Sequence, residues 1–187
     1  MKVLGIDPGV AQTGWAVLET GPRGGDAGLI ASGLLKTYPA TELPARLESL
    51  HASLRELIST HKPETLAIEE LFFMKIARSV AATSYARAVI LLAASQHRCP
   101  VAEYNPRTVK ISLTGNGNAL KPQMQKMVQA ILKLEKPPQP DDVADAMAIG
   151  LCHLKHVRFQ SRILRSEAPL RSPSPERGRG TKGEGFK

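Results

Sequence analysis

Four carboxylates occupy positions where the surrounding pattern calls for apolar side chains, and this conflict limits the folds open to the chain. The segment Val3-Leu4-Gly5-Ile6 ends in Asp7 and is stopped by Pro8-Gly9, and Leu66-Ala67-Ile68 ends the same way in Glu69. Each reads as a short buried strand with an acid at its C-terminal end. Asp142 and Asp145 stand three residues apart in a helical segment, on the face that also carries Ala146 and Ile149. Four acids brought together repel one another and lose hydration, a cost that bound cations offset. Donors that are all carboxylate oxygens select a hard ion, Mg²⁺ or Mn²⁺. The fold must then deliver two strand ends and one helix to a common place, an arrangement that points to two-metal-ion phosphoryl chemistry.

The rest of the chain supplies a frame able to do this. Strands are predicted over 2–7, 13–19 and 29–36, with a glycine-rich hairpin loop between the second and third. Leu43, Leu47, Leu50, Leu54, Leu57 and Ile58 recur at helical spacing, so 43–60 is an amphipathic helix ending before Lys62-Pro63. A strand over 65–69, a loop over 71–76 and an alanine-dense helix over 78–97 come next. A strand over 101–104, a short helix from Asn105-Pro106, a flexible turn at Gly115-Asn116-Gly117-Asn118 and helices over 121–134 and 141–156 complete the order. The reading is an α/β fold, a mixed five-stranded sheet flanked by helices.

Composition narrows the setting. In 187 residues, 42% hydrophobic and 22% charged content are globular values that exclude wholesale disorder. No apolar run reaches the ~18 to 20 residues of a membrane span, and Asp7 breaks the first apolar run too early for a signal peptide. No membrane role and a cytoplasmic location are expected. Cys99 and Cys152 are too few for a disulfide framework and read as reduced structural thiols. The net charge of +8 points to a polyanionic partner. Residues 161–187 hold seven Lys and Arg against three Glu, few apolar side chains and repeated Ser, Pro and Gly. The chain therefore divides into a domain over 1–157 and a basic tail over 158–187 that is expected to be disordered.

Around the acids lie residues suited to nucleic acid. Lys75, Arg78, Arg107, Lys110 and Lys121 are candidates for phosphate contacts, and each has an alternative as a merely solvated cation. Phe72 and Phe73 follow Glu69 in a chain with only 4% aromatic residues. Either ring folds back onto the core or stacks on an unpaired base. Glu70 reads as solvated, and Asp141, after Pro140, as a helix N-cap. Positions 142 and 145 lie about 60° apart around a helix axis and 141 and 145 about 40°, so periodicity does not choose between Asp141 and Asp142.

Gly5-Ile6-Asp7-Pro8-Gly9, Ala67-Ile68-Glu69-Glu70-Leu71-Phe72, Thr114-Gly115-Asn116-Gly117 with Lys121, and Asp142-Val143-Ala144-Asp145-Ala146-Met147-Ala148-Ile149 resemble, in order and at family spacing, the RuvC family of bacterial Holliday junction resolvases. The resemblance covers roughly residues 1–157. It implies a ribonuclease H-like fold and a homodimer that resolves four-way DNA junctions by two symmetric nicks, leaving 5′-phosphate ends, beside the branch-migration proteins RuvA and RuvB. The family's catalytic and metal-binding acids fall on Asp7, Glu69, Asp142 and Asp145, with two Mg²⁺ per subunit or Mn²⁺ in their place. The resemblance also implies a stacking role for Phe72 and DNA-contact or catalytic roles for Lys110 and Lys121. Two segments depart from the pattern. Ile76 replaces a common asparagine, and Ser84-Tyr85-Ala86-Arg87-Ala88 stands where the family has Gly-Gln-Ala-Arg-Gly, on the helix that family dimers use. Actin-like ATPases share an Asp-x-Gly turn but are far longer. A YqgF-type ribonuclease of ribosomal RNA processing and a non-catalytic junction-binding module are the alternative readings.

Overall fold

A computed structural model describes residues 1–21, 25–70 and 77–166. The element order is β1 (Lys2–Asp7), β2 (Gln12–Thr20), β3 (Ala27–Lys36), α1 (Leu43–His61), β4 (Thr65–Glu69), α2 (Ala77–Gln96), β5 (Val101–Tyr104), α3 (Pro106–Thr114), α4 (Lys121–Leu132) and α5 (Asp141–Ser166). The strands form one sheet in the order β3-β2-β1-β4-β5. The first three make an antiparallel meander, while β4 and β5 join parallel to β1. This is the mixed five-stranded sheet expected from the strand signals.

Alternation along the strands divides the core in two. Val3, Ala16, Leu18 and Ala67 face the side covered by α5, with α3 and α4 outside it. Leu4, Ile6, Val17, Leu66 and Ile68 face α1 and α2, meeting Leu50, Leu54, Ile58, Ile90 and Ala93. Because β1 and β4 are buried on both faces, their apolar runs are nearly continuous.

Beyond shifts of one or two residues at element ends, two features differ from the sequence reading. The last helix does not end near His156 but continues to Ser166, so the expected domain limit at 157 cuts through it. Residues 158–163 are exposed on every side and carry no amphipathic signal, yet no Gly or Pro interrupts the chain before Pro169. Residues 167–187 of the expected tail lie outside the described residues. Asp141 is the other difference. It is the first residue of α5, and the amides of Val143 and Ala144 both reach the Pro140 carbonyl. Its carboxylate turns away from these first-turn amides and toward side chains of α4.

Candidate active site

The parallel pairing of β1 and β4 matches Ile6 with Ile68, and one further step places Asp7 beside Glu69 at the strand ends. By alternation, Asp7 shares the face of Val3 and Glu69 that of Ala67, which is the face under α5. Glycine then sets how close the helix comes. A Cβ on Gly5 would stand 2.2 Å from the Ala146 carbonyl oxygen, and one on Gly14 would stand 2.0 Å from that of Asp142. Gly14 is the β2 partner of Asp7. Two strands without side chains at these points let the first turns of α5 rest on the backbone, which lowers Asp142 and Asp145 to the level of Asp7.

The four acids line one cleft of about 380 Å³ together with Lys110, Lys121 and an apolar wall of Val109, Met124, Ala148 and Ile149. The Asp7 carboxyl is pushed up to about 7 by burial first, then by the charges of Asp145, Glu69 and Asp142, with Lys121 opposing. Asp145 is also raised, by burial, although Lys121 opposes the shift. Lys121 Nζ lies 3.3 Å from Asp141 Oδ2 and 3.4 Å from Asp145 Oδ2. Burial works against the charge on Lys121, but Asp145 and Asp141 outweigh it and raise the ammonium pKa.

This electrostatic balance fits divalent cations. Four carboxylates outnumber the two ammonium groups of the cleft, and every acidic donor is a hard oxygen. Among the described residues, no three such ligands are drawn together tightly enough to form a ready-made cage. The Lys121 ammonium, 3.4 Å from Asp145 Oδ2, balances part of the negative charge.

Residues 3–153 match the family described as Crossover junction endodeoxyribonuclease RuvC. The chain belongs to the RuvC family. It is 47% identical to the RuvC of Moorella thermoacetica over 163 residues, which is 87% of this chain and 96% of the relative. It is 44% identical to that of Endomicrobium trichonymphae over 161 residues, 86% of this chain and 84% of the relative. The solved Thermus thermophilus RuvC in complex with a Holliday junction substrate is 34% identical, with a TM-score of 0.81 over 86% of this chain and 97% of that one.

Within this RuvC framework the other predicted residues separate. Lys110 and Lys121 line the cleft, but Arg107 does not, and its stem lies along Gly117, where a Cβ would stand 2.7 Å from Arg107 Cγ. Asp142 lines the cleft and Asp141 does not. Gln125 Nε2 donates to Asp141 Oδ1 at 2.8 Å, which holds that acid toward α4. Phe72, Phe73 and Lys75 lie outside the described residues, and Arg78 is placed only as a residue of the first turn of α2.

The sequence reading did not single out two features behind the cleft. Arg87 is buried on α2, donates from Nη1 to the Glu69 carbonyl at 2.7 Å and pairs through Nη2 with Glu103. Tyr104, level with Glu69 on β5, shares a 2.8 Å hydrogen bond between its hydroxyl and His153 Nδ1. A visible signal for Arg87 was a cation inside an alanine-rich helix otherwise suited to burial.

Proposed function

We propose that this chain cleaves four-way DNA junctions, hydrolysing phosphodiesters with two Mg²⁺ ions held by Asp7, Glu69, Asp142 and Asp145. The observation that carries the reading is the convergence of these four acids on one cleft with Asp7 raised to about 7. When bound, the ions would supply an acidified attacking water and charge stabilisation at the leaving 3′ oxygen.

The chain's own residues do the rest. With its carboxyl pushed up to about 7, Asp7 is partly protonated near neutral pH without ions, and bound cations would favour its ionised form. Lys121, between Asp141 and Asp145, would exchange a carboxylate for a scissile-strand phosphate, and Lys110, which also lines the cleft, would add a second phosphate contact. Val109, Met124 and Ile149 keep one side of the cleft dry, which strengthens each of these charge contacts. Arg107 serves as a phosphate contact near the turn after α3, and the rings of Phe72 and Phe73, with Lys75 and Arg78, act at the opened crossover.

A homodimer matches two equivalent strands to two sites. The exposed Tyr85 and Leu92 on α2 support that helix as the contact between copies. RuvA and RuvB are the branch-migration partners, and a cytoplasmic setting follows from the DNA substrate. Among the described residues, no helix is long and apolar enough to cross a membrane. The test is Mg²⁺-dependent nicking of a synthetic four-way junction beside duplex DNA and structured RNA. Paired nicks with 5′-phosphate ends on the junction alone are expected. Preferential RNA cleavage, or junction binding without any cleavage, overturns the reading.

A further inference from the structure

We propose that Arg87 is a positioning residue for Glu69, holding the metal-facing end of β4 in place by replacing a donor that the sheet lacks. The inference rests on the reading of Glu69 as a metal ligand. In β4, Leu66 donates to the Pro100 carbonyl and Glu70 to the Tyr104 carbonyl, so the even-numbered residues turn their polar backbone groups toward β5. The odd-numbered ones, Glu69 among them, turn theirs toward β1. With Ile6 opposite Ile68, the amide due to meet the Glu69 carbonyl belongs to the residue after Asp7. That residue is Pro8, which has no N–H.

Without that amide the ladder places one backbone constraint fewer on Glu69, whose carboxylate is one of the four in the cleft. Arg87 fills the gap. Its Nη1 donates to the Glu69 carbonyl at 2.7 Å, while Nη2 pairs with Glu103, which faces the same side of the sheet from β5. One guanidinium fork thus ties the end of β4 to β5 and to α2, and only 7% of Arg87 is exposed. A planar, two-pronged donor performs both tasks, whereas a lysine ammonium is a point charge without that geometry. Burying a cation on an otherwise apolar helix face is costly unless it is paired and hydrogen-bonded, and both of its contacts serve this one corner.

A helix-anchoring role alone would lower the melting temperature without altering the metal requirement. A positioning role alters the metal requirement itself, because groups that orient a ligand commonly change metal affinity about 10- to 100-fold. The experiment measures Mn²⁺ binding to the DNA-free protein from the free-Mn²⁺ resonance signal. It also measures the Mg²⁺ concentration for half-maximal junction cleavage, junction affinity without metal, and melting temperature. Arg87→Gln is expected to weaken Mn²⁺ binding and raise the Mg²⁺ midpoint about tenfold, with junction affinity within about twofold of the parent. Arg87→Lys should recover only part of the loss. Glu103→Gln, at a half-exposed partner and so compatible with folding, should shift both metal readouts in the same direction by about two- to threefold.

Unchanged metal readouts in Glu103→Gln and Arg87→Lys overturn the inference even if Arg87→Gln fails to fold. Glu69→Gln is measured beside them. If it leaves Mn²⁺ binding intact, the reading of the site fails; if it weakens binding while the Arg87 and Glu103 variants do not, only the positioning role fails.

Discussion

Gly5 and Ala146 touch through backbone alone, since a Cβ on Gly5 would stand 2.2 Å from the Ala146 carbonyl oxygen. The contact lets α5 lie on β1 closely enough for Asp145 to perturb Asp7. Gly5→Ala is expected to push the helix off the sheet, a clash on the order of 1 to 3 kcal/mol. In a chain of this size the melting temperature should then fall by roughly 3 to 10 °C, with loss of cleavage. Gly28→Ala, with open space around the new methyl, serves as the control and should behave as the parent. Parent-like cleavage by Gly5→Ala would show that the acids do not depend on this contact.

Asp7 gives the ion-free protein a distinctive pH profile. Its carboxyl is raised from 3.8 to about 7 in the folded state, so between those values the folded protein keeps a proton that the unfolded chain has released. Stability in chelator is therefore greatest at the acidic end of this window and falls as pH rises toward 7. Asp7→Asn removes that penalty. At pH 8 without metal it should melt roughly 5 to 10 °C above the parent, since each tenfold change in a proton-binding constant corresponds to about 1.4 kcal/mol. Mg²⁺ should stabilise the parent more than the variant, and the variant should not cut. Scanning calorimetry from pH 4 to 8 checks the slope; identical slopes in the two proteins would remove Asp7 as its source.

Lys121 offsets part of this repulsion while the ions are absent. Lys121→Gln is expected to lower the ion-free melting temperature at neutral pH, where Asp145 and Asp141 lose their shared cation. Cleavage should fall at least tenfold at saturating Mg²⁺, because a phosphate contact is lost with the charge. If the variant cleaves at the parent rate, Lys121 acts only as a counter-ion to the acids.

The strand acids were legible in the sequence because a continuous apolar run ending abruptly in Asp7 or Glu69 has no other ready explanation. The mixed five-stranded sheet was legible from the same runs, whereas the order β3-β2-β1-β4-β5 came only with the structure. Other features were hidden for identifiable reasons. The partner of Arg87 is a backbone carbonyl left open by Pro8, visible only once the β1–β4 register is known. Arg107 was grouped with Lys110 as a phosphate contact, but its stem lies along Gly117, a placement that no periodicity reports. The overrun of α5 past residue 157 lacks the apolar stripe on which its end was judged.

The choice between Asp141 and Asp142 is the sharpest case, because helical angles alone leave it open and the structure separates the two by their partners. Asp142 lines the cleft and contributes to the raised Asp7, whereas Asp141 is held by Gln125 and Lys121 on the α4 side. The expected N-cap role for Asp141 would have made its loss cost about 1 kcal/mol through the first-turn amides. With its carboxylate turned to α4 instead, only an exposed ion pair and one side-chain hydrogen bond are lost, a sum on the order of 0.5 to 1 kcal/mol. Asp141→Ala should therefore melt within about 4 °C of the parent and retain cleavage within a few-fold, because Lys121 keeps Asp145 as its partner. Asp142→Asn should melt at or above the parent in chelator, since it removes one source of repulsion at Asp7, and should lose Mg²⁺-dependent cleavage by several orders of magnitude. Junction binding by Asp142→Asn should be equal to or tighter than that of the parent, as an acid has left a DNA-facing cleft. The reverse pair of phenotypes, with Asp141→Ala inactive and Asp142→Asn cleaving, would place the ligand one residue earlier and require the first turn of α5 to be rotated from its present position.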